Sequence, residues 1–239
     1  DLDGLGNGSE LRGLLLARRA LLLASAGEEL AIRRTLVLAC WKLGRFEEAV
    51  AAAQRSVDVK PDSSGYARAS YFRWLTGDEE GAKRFIRSAL DGRDRRDPEP
   101  TAWTFVEAAK IFWHEADYDG ADAVLAEALR WVPDYPPALV ARGRVALSRG
   151  QPAQAIADLE KAYRVQPLPE TIWLLGDARA LQGDVAGAEA ESQRVVQAGN
   201  RSDRLTLALF YATKNRAIDQ ALRLIEEERA SRGGIYVDD

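Results

Sequence analysis

Few side chains in this sequence could do chemistry, and they are scattered. His114 and Cys40 are its only histidine and its only cysteine. A nucleophile needs a base beside it, and a zinc ion needs several nitrogen or sulfur ligands. The sequence ties no such partner to His114, which reads as a helix-face histidine that packs or hydrogen-bonds. Cys40 lies on the apolar side of its stretch beside Leu36 and Leu43 and reads as an inert buried thiol. GLGNGS, from Gly4 to Ser9, spaces its glycines like a phosphate loop, but no strand precedes it and no Lys-Ser or Lys-Thr follows. It reads as a flexible tail. DYDGAD, from Asp117 to Asp122, opens like a calcium loop, yet its glycine comes too early and the bidentate glutamate is missing. Carboxylates meeting the free N–H groups of a helix start account for it. We therefore expect no enzyme, no metal and no cofactor.

The remaining signal is aromatic. Trp41 and Trp74 each stand three residues before a glycine, Gly44 and Gly77, and Trp113 stands three before Ala116. A tryptophan at one fixed place implies a repeated element that positions it, and the chain contains one. GRFEEAVAAAQRSVDVKP (Gly44 to Pro61) returns as GDEEGAKRFIRSALDG (Gly77 to Gly92), ADYDGADAVLAEALRWVP (Ala116 to Pro133) and GQPAQAIADLEKAYRVQP (Gly150 to Pro167). Weaker copies start at Gly183 and Arg216. One alanine recurs in all of them: Ala49, Ala82, Ala121, Ala155, Ala188 and Ala221, at steps of 33, 39, 34, 33 and 33 residues. So regular a period is a repeat architecture.

Each copy follows a second helical pattern, such as AIRRTLVLACWKL (Ala31 to Leu43) or ETIWLLGDARALQ (Glu170 to Gln182), so the unit is a pair of helices. The small alanine lets the two helices of a pair approach closely. Pro61, Pro133 and Pro167 end the second helix because proline cannot extend the hydrogen-bond ladder.

On Ile172, Leu175, Gly176 and Ala188 in the fifth copy, and Leu139, Ala155, Leu159, Ala162 and Pro167 in the fourth, the unit resembles the tetratricopeptide repeat. The resemblance covers about Leu30 to Gly233. It departs where Arg33 replaces an aromatic, where Ala116 replaces a loop glycine, and where the second, fifth and sixth copies lack the closing proline. It implies an all-α, right-handed superhelical solenoid of antiparallel helix pairs, with repeats near 30–62, 63–97, 102–135, 136–168, 169–200 and 202–233. Ahead of them we expect a flexible tail and one extra helix in 1–29, with Glu10 to Ala26 as the helix. GRDRRDPEPT (Gly92 to Thr101) reads as an insertion, and 234–239 as a linker or the start of a further repeat. The chain has no methionine and is read as a piece of a longer one.

The resemblance further implies that first helices line an inner, concave wall, which residues three, six, ten and thirteen before the loop face. In this chain those positions give a groove of Arg34, Trp41, Tyr71, Trp74, Trp103, Lys110, Trp113, Arg144, Trp173 and Asp177, with His114 adjoining. Its first two-thirds are aromatic and basic. Aligned tryptophans would anchor a segment of another protein, extended or helical, while the cations pair with its carboxylates. The opposing expectation is that these rings simply wedge neighbouring helix pairs together. The lysine and asparagine set with which some relatives grip a terminal carboxylate is not matched, since Leu38 stands in the asparagine's place.

Bulk composition agrees with an interaction module. The 239 residues are 46% hydrophobic and 29% charged, enough for a substantial core, and 33 basic against 37 acidic side chains leave a net charge of −4. That balance gives no pull toward nucleic acid or an anionic membrane. The run LLLARRALLLA, Leu14 to Ala24, is broken by Arg18 and Arg19 and falls far short of the roughly 20 residues that span a bilayer. We expect a soluble chain, with a reducing compartment favoured by the single cysteine and secretion left open. Two other roles stay open: a self-assembling scaffold, and the substrate-recruiting arm of a larger protein.

Overall fold

The computed structural model describes residues 7–92 and 96–232, and its helices there are thirteen, with no strand among the described residues. In chain order they are α1 (Asn7–Leu23), α2 (Ala26–Lys42), α3 (Phe46–Val59), α4 (Ser63–Leu75), α5 (Glu79–Asp91), α6 (Pro98–His114) and α7 (Tyr118–Trp131). There follow α8 (Pro136–Ser148), α9 (Pro152–Val165), α10 (Pro169–Gln182), α11 (Val185–Ser202), α12 (Arg204–Thr213) and α13 (Ile218–Arg232). The described residues fall into two units, 7–92 with 226–232, and 96–225.

The loop that closes each hairpin is set by local chemistry, repeated six times. At Gly44, Gly77, Ala116, Gly150, Gly183 and Asn215 the backbone turns left-handed, with φ between 49° and 88°. The next residue's N–H then reaches back five positions to a carbonyl of the preceding helix, as from Arg45 to Cys40, Asp117 to Phe112 and Gln151 to Ala146. This is the glycine-ended helix stop that satisfies the last carbonyls. Ala116 holds it with a Cβ, against the left-handed penalty of about 1–2 kcal/mol.

Helix starts are equally local. Asp78, Asp117 and Asp184 each accept a hydrogen bond from the backbone N–H three residues on, at 2.9 Å. Asp62 and Asp203 do the same for α4 and α12. Ser25 starts α2, and Glu28 accepts from both its N–H and its hydroxyl.

Packing follows the alanine period. In the second unit each helix packs on the next, α6 on α7 through to α11 on α12, and the first helices α6, α8, α10 and α12 also touch one another in that order. Ala121 and Ala155 sit wholly buried in these hairpins, as Ala49 and Ala82 do in the first unit, while Ala188 is only half-buried.

Helix bounds differ from the sequence reading in three places. Pro98 to Thr101, expected as part of an insertion, form the first turn of α6, because proline at a first helical position loses no intrahelical bond. α2 starts at Ala26, ahead of residue 30. Of the expected flexible start, Asn7 to Ser9 belong to α1. The earlier residues, Gly233 and the expected linker or further repeat at 234–239 lie outside the described residues.

Candidate functional site

The second unit carries a cleft of about 530 Å³ between the first helices α6, α8 and the start of α10. Trp103, Val106, Lys110 and Trp113 line it from α6, at spacings of three and four that keep them on one helical face. α8 supplies Val140, Arg144 and Val145, and α10 supplies Glu170 and Thr171. His114, at the last position of α6, lines the same cleft.

Five of the expected groove residues, Trp103, Lys110, Trp113, His114 and Arg144, thus meet in one place. The Trp113 indole is held from α8: its Nε1 donates to Ser148 Oγ at 2.9 Å, tying the end of α6 to the end of α8. The His114 ring stands edge-on to it, with centroids 4.7 Å apart.

The cations are not open sockets. Lys110 pairs with Glu107 at 2.7 Å, and Arg144 pairs with Glu170. Outside the cleft Arg34 pairs with Asp62 at 2.9 Å, and Asp177 with Lys214. A partner's carboxylate would therefore share or displace an internal one, and exposed pairs of this kind are worth only about 0–1 kcal/mol each. Burial, then Arg144 and Lys110, hold the His114 imidazole below its ordinary range, so it is neutral at neutral pH. Burial and then the nearby Glu99 and Glu107 carboxylates raise the Tyr135 hydroxyl, just before α8.

Other expected groove residues lie elsewhere. Trp173 and Asp177 belong to α10 but do not line the cleft. Trp173 meets Phe210 edge-on, with ring centroids 5.7 Å apart. Phe210 itself is buried. Arg34, Trp41, Tyr71 and Trp74 belong to the first unit. There Tyr71 is exposed and Trp74 half-buried, but Trp41 is 9% exposed and packs between Phe46 and Phe72, with centroids 4.7 and 4.8 Å away. Trp41 is therefore a core residue of its unit, packed against α3 and α4. Sequence reasoning missed Ser148 and Glu107. Glu107 was visible as a carboxylate three residues before a lysine on one helix face. Ser148 carried no local signal.

Comparisons with known proteins agree with the all-helical repeat fold. The tetratricopeptide repeat family model matches residues 35–63, which run from within α2 through α3, and 136–167, which hold the α8–α9 hairpin. Those two stretches match the tetratricopeptide repeat, and the helical solenoid is the fold of such repeats. Repeats of this kind serve in general as protein–protein interaction modules and typically as non-catalytic scaffolds. The chain is 28% identical over 142 residues to the DnaJ homolog subfamily C member 7 homolog of Schizosaccharomyces pombe, covering 53% of itself and 29% of that relative. It thus spans under a third of the length of this curated relative. In fold it is similar to BtubC of P. vanneervenii, with a TM-score of 0.67, 18% identity and coverage of 82% of this chain and 90% of that one. PilF of Pseudomonas aeruginosa gives a TM-score of 0.62 at 19% identity, over 89% and 96% of the two chains. A thermophilic repeat protein of Thermus thermophilus gives 0.60 at 20% identity, over 77% and 97%. Among the described residues no helix is long and apolar enough to cross a membrane, and no group of three or more His, Cys, Asp or Glu could hold a metal ion.

Proposed function

We propose that this protein holds a segment of another protein in the α6–α8–α10 cleft, with apolar side chains of that segment seated between Trp103, Trp113 and Val140. One arrangement supports the reading. Two half-buried indoles and aliphatic carbons form an accessible wall, and the charges beside it are already compensated as the Lys110–Glu107 and Arg144–Glu170 pairs. Affinity then comes from aromatic contact area, and the charges set orientation. Tyr71 and Trp74 are assigned contacts in their own unit, and buried Trp41 none.

Selection of a displayed peptide library on the chain tests this. Peptides should lose roughly tenfold or more in affinity for Trp113→Ala and for Val140→Asp, with thermal melting near the parent's. Peptides that bind those variants like the parent would place the contact elsewhere.

A second reading, self-assembly, draws on α1, where Leu22 and Leu23 are 86% and 82% exposed and Leu15 and Leu16 are also exposed. Light scattering across a concentration series separates the two, since a module without its partner stays monomeric.

A further inference from the structure

The outward face of α1 repeats itself every seven residues. Leu14, Ala17 and Leu21 turn inward, into the first-unit core that holds Leu36, Val37 and Cys40. On the other side stand Arg12, Leu15, Leu16, Arg19, Leu22 and Leu23, all of them exposed. Arginine at 12 returns at 19, leucine at 15 returns at 22, and leucine at 16 returns at 23. At about 100° per residue this sets the two arginines along the middle of the face, with Leu15 and Leu22 on one flank and Leu16 and Leu23 on the other. A seven-residue period is the one at which a second helix follows the first and keeps the same contacts.

The positions three and four residues away from the two arginines hold Gly8, Ser9, Leu15, Leu16, Leu22 and Leu23, none of which is acidic. Arg18, off the middle line, pairs with Glu48 of α3, whereas neither Arg12 nor Arg19 has an ion pair among the described residues. The face is thus apolar along both flanks and positive along its centre.

We propose that this face docks an amphipathic helix of another protein, one that presents apolar side chains on two flanks and carboxylates at a seven-residue spacing between them. Each carboxylate meets Arg12 or Arg19, whose planar guanidinium donates two parallel hydrogen bonds to it. The four leucines close around these pairs and exclude water, which strengthens them. A second copy of α1 does not supply this chemistry. Parallel pairing sets arginine on arginine, antiparallel pairing sets each arginine on leucine or on the other arginine, and either buries unpaired cations. A lipid surface does not suit the face either, because a helix lying on a membrane turns its cations to the polar side, and here they lie between the leucines.

Selection of a displayed library of amphipathic helices, randomised on one face, against the full chain tests this. Leu16 and Leu23 are exposed, so Leu16→Asp and Leu23→Asp should melt like the parent, and the clones they abolish are those seated on α1. Those clones should carry Asp or Glu seven residues apart, and Arg12→Glu with Arg19→Glu should weaken them roughly tenfold or more. Lysine in place of the clones' acids should abolish binding to the parent and restore it on the doubly reversed chain, a swap that loss of folding does not produce.

The proposal is overturned if α1-dependent clones lack the acids, if the charge swap does not restore binding, or if no clone depends on Leu16 and Leu23. It is overturned equally if light scattering shows the parent associating with itself in a way that Leu22→Asp abolishes, or if vesicles of phosphatidylserine and phosphatidylcholine sediment the parent but not that variant. Clones lost only to Val140→Asp belong to the α6–α8–α10 cleft, so the two sites stand or fall separately.

Discussion

Trp41 and Trp113 hold the same place in their repeats, three residues before the left-handed loop residue, and meet opposite fates. In the first unit Trp41 is clasped by Phe46 from its own hairpin and Phe72 from the next first helix. In the second, the positions matching Phe46 and Phe72 hold Tyr118 and Val145. The Arg149 guanidinium sits over the Tyr118 ring, 5.9 Å from its centroid, and the shorter Val145 side chain lines the same cleft as Trp113. Where two aromatic rings close over the indole it becomes core. Where a valine stands, space remains and the indole becomes wall.

The comparison can be broken most directly by truncating both tryptophans. Trp41→Ala should empty a filled core and lower stability by about 3–5 kcal/mol, read by chemical denaturation. Trp113→Ala should cost far less stability and act mainly on peptide capture. Equal losses would erase the distinction between core and wall.

A feature the units share sharpens the contrast. Ala82 and Ala155 are both wholly buried, so leucine at either should overpack its hairpin and cost about 1–3 kcal/mol in each unit alike. A variant that melts like its parent would mean that its hairpin does not need the small side chain.

The loops give a smaller effect of opposite sign. Ala116→Gly removes a left-handed penalty and should stabilise the second unit by about 1 kcal/mol. Gly77→Ala should destabilise the first by a similar amount, although no atom lies within 4 Å of the added Cβ. The cost there is conformational alone, and differential scanning calorimetry can resolve it.

The smallest effect belongs to His114. Its folded pKa lies below the ordinary value of 6.5, so on acidification the unfolded chain takes up the proton first. Stability from this group is whole above that value and falls as pH drops through it toward the folded pKa. His114→Gln should flatten that part of the profile.

Much of the fold was legible because it is built from short-range rules. The Asp that starts a helix bonds three residues ahead, and the loop glycine bonds three residues back. The alanines marked the hairpins because at Ala49, Ala82, Ala121 and Ala155 the helices meet closely enough to bury the side chain wholly. Pro98 misled for a related reason: proline marks a boundary without saying whether a helix ends before it or begins with it.

The site was legible only in part. The α6 face was readable, since spacing alone aligns Trp103, Lys110 and Trp113. Which ring is buried was not, and neither was the neutralisation of Arg144. Trp113 depends on Ser148, 35 residues away, and Arg144 on Glu170, 26 away. No periodicity reports such a partner.

By itself, then, the sequence determined helices, loops, caps and the hairpin period, because each is decided by hydrogen bonds and sterics within a few residues. The tertiary structure alone decided that Trp41 is core and Trp113 wall, and that the groove's cations are paired at home. Burial and charge compensation belong to the neighbours that packing brings together.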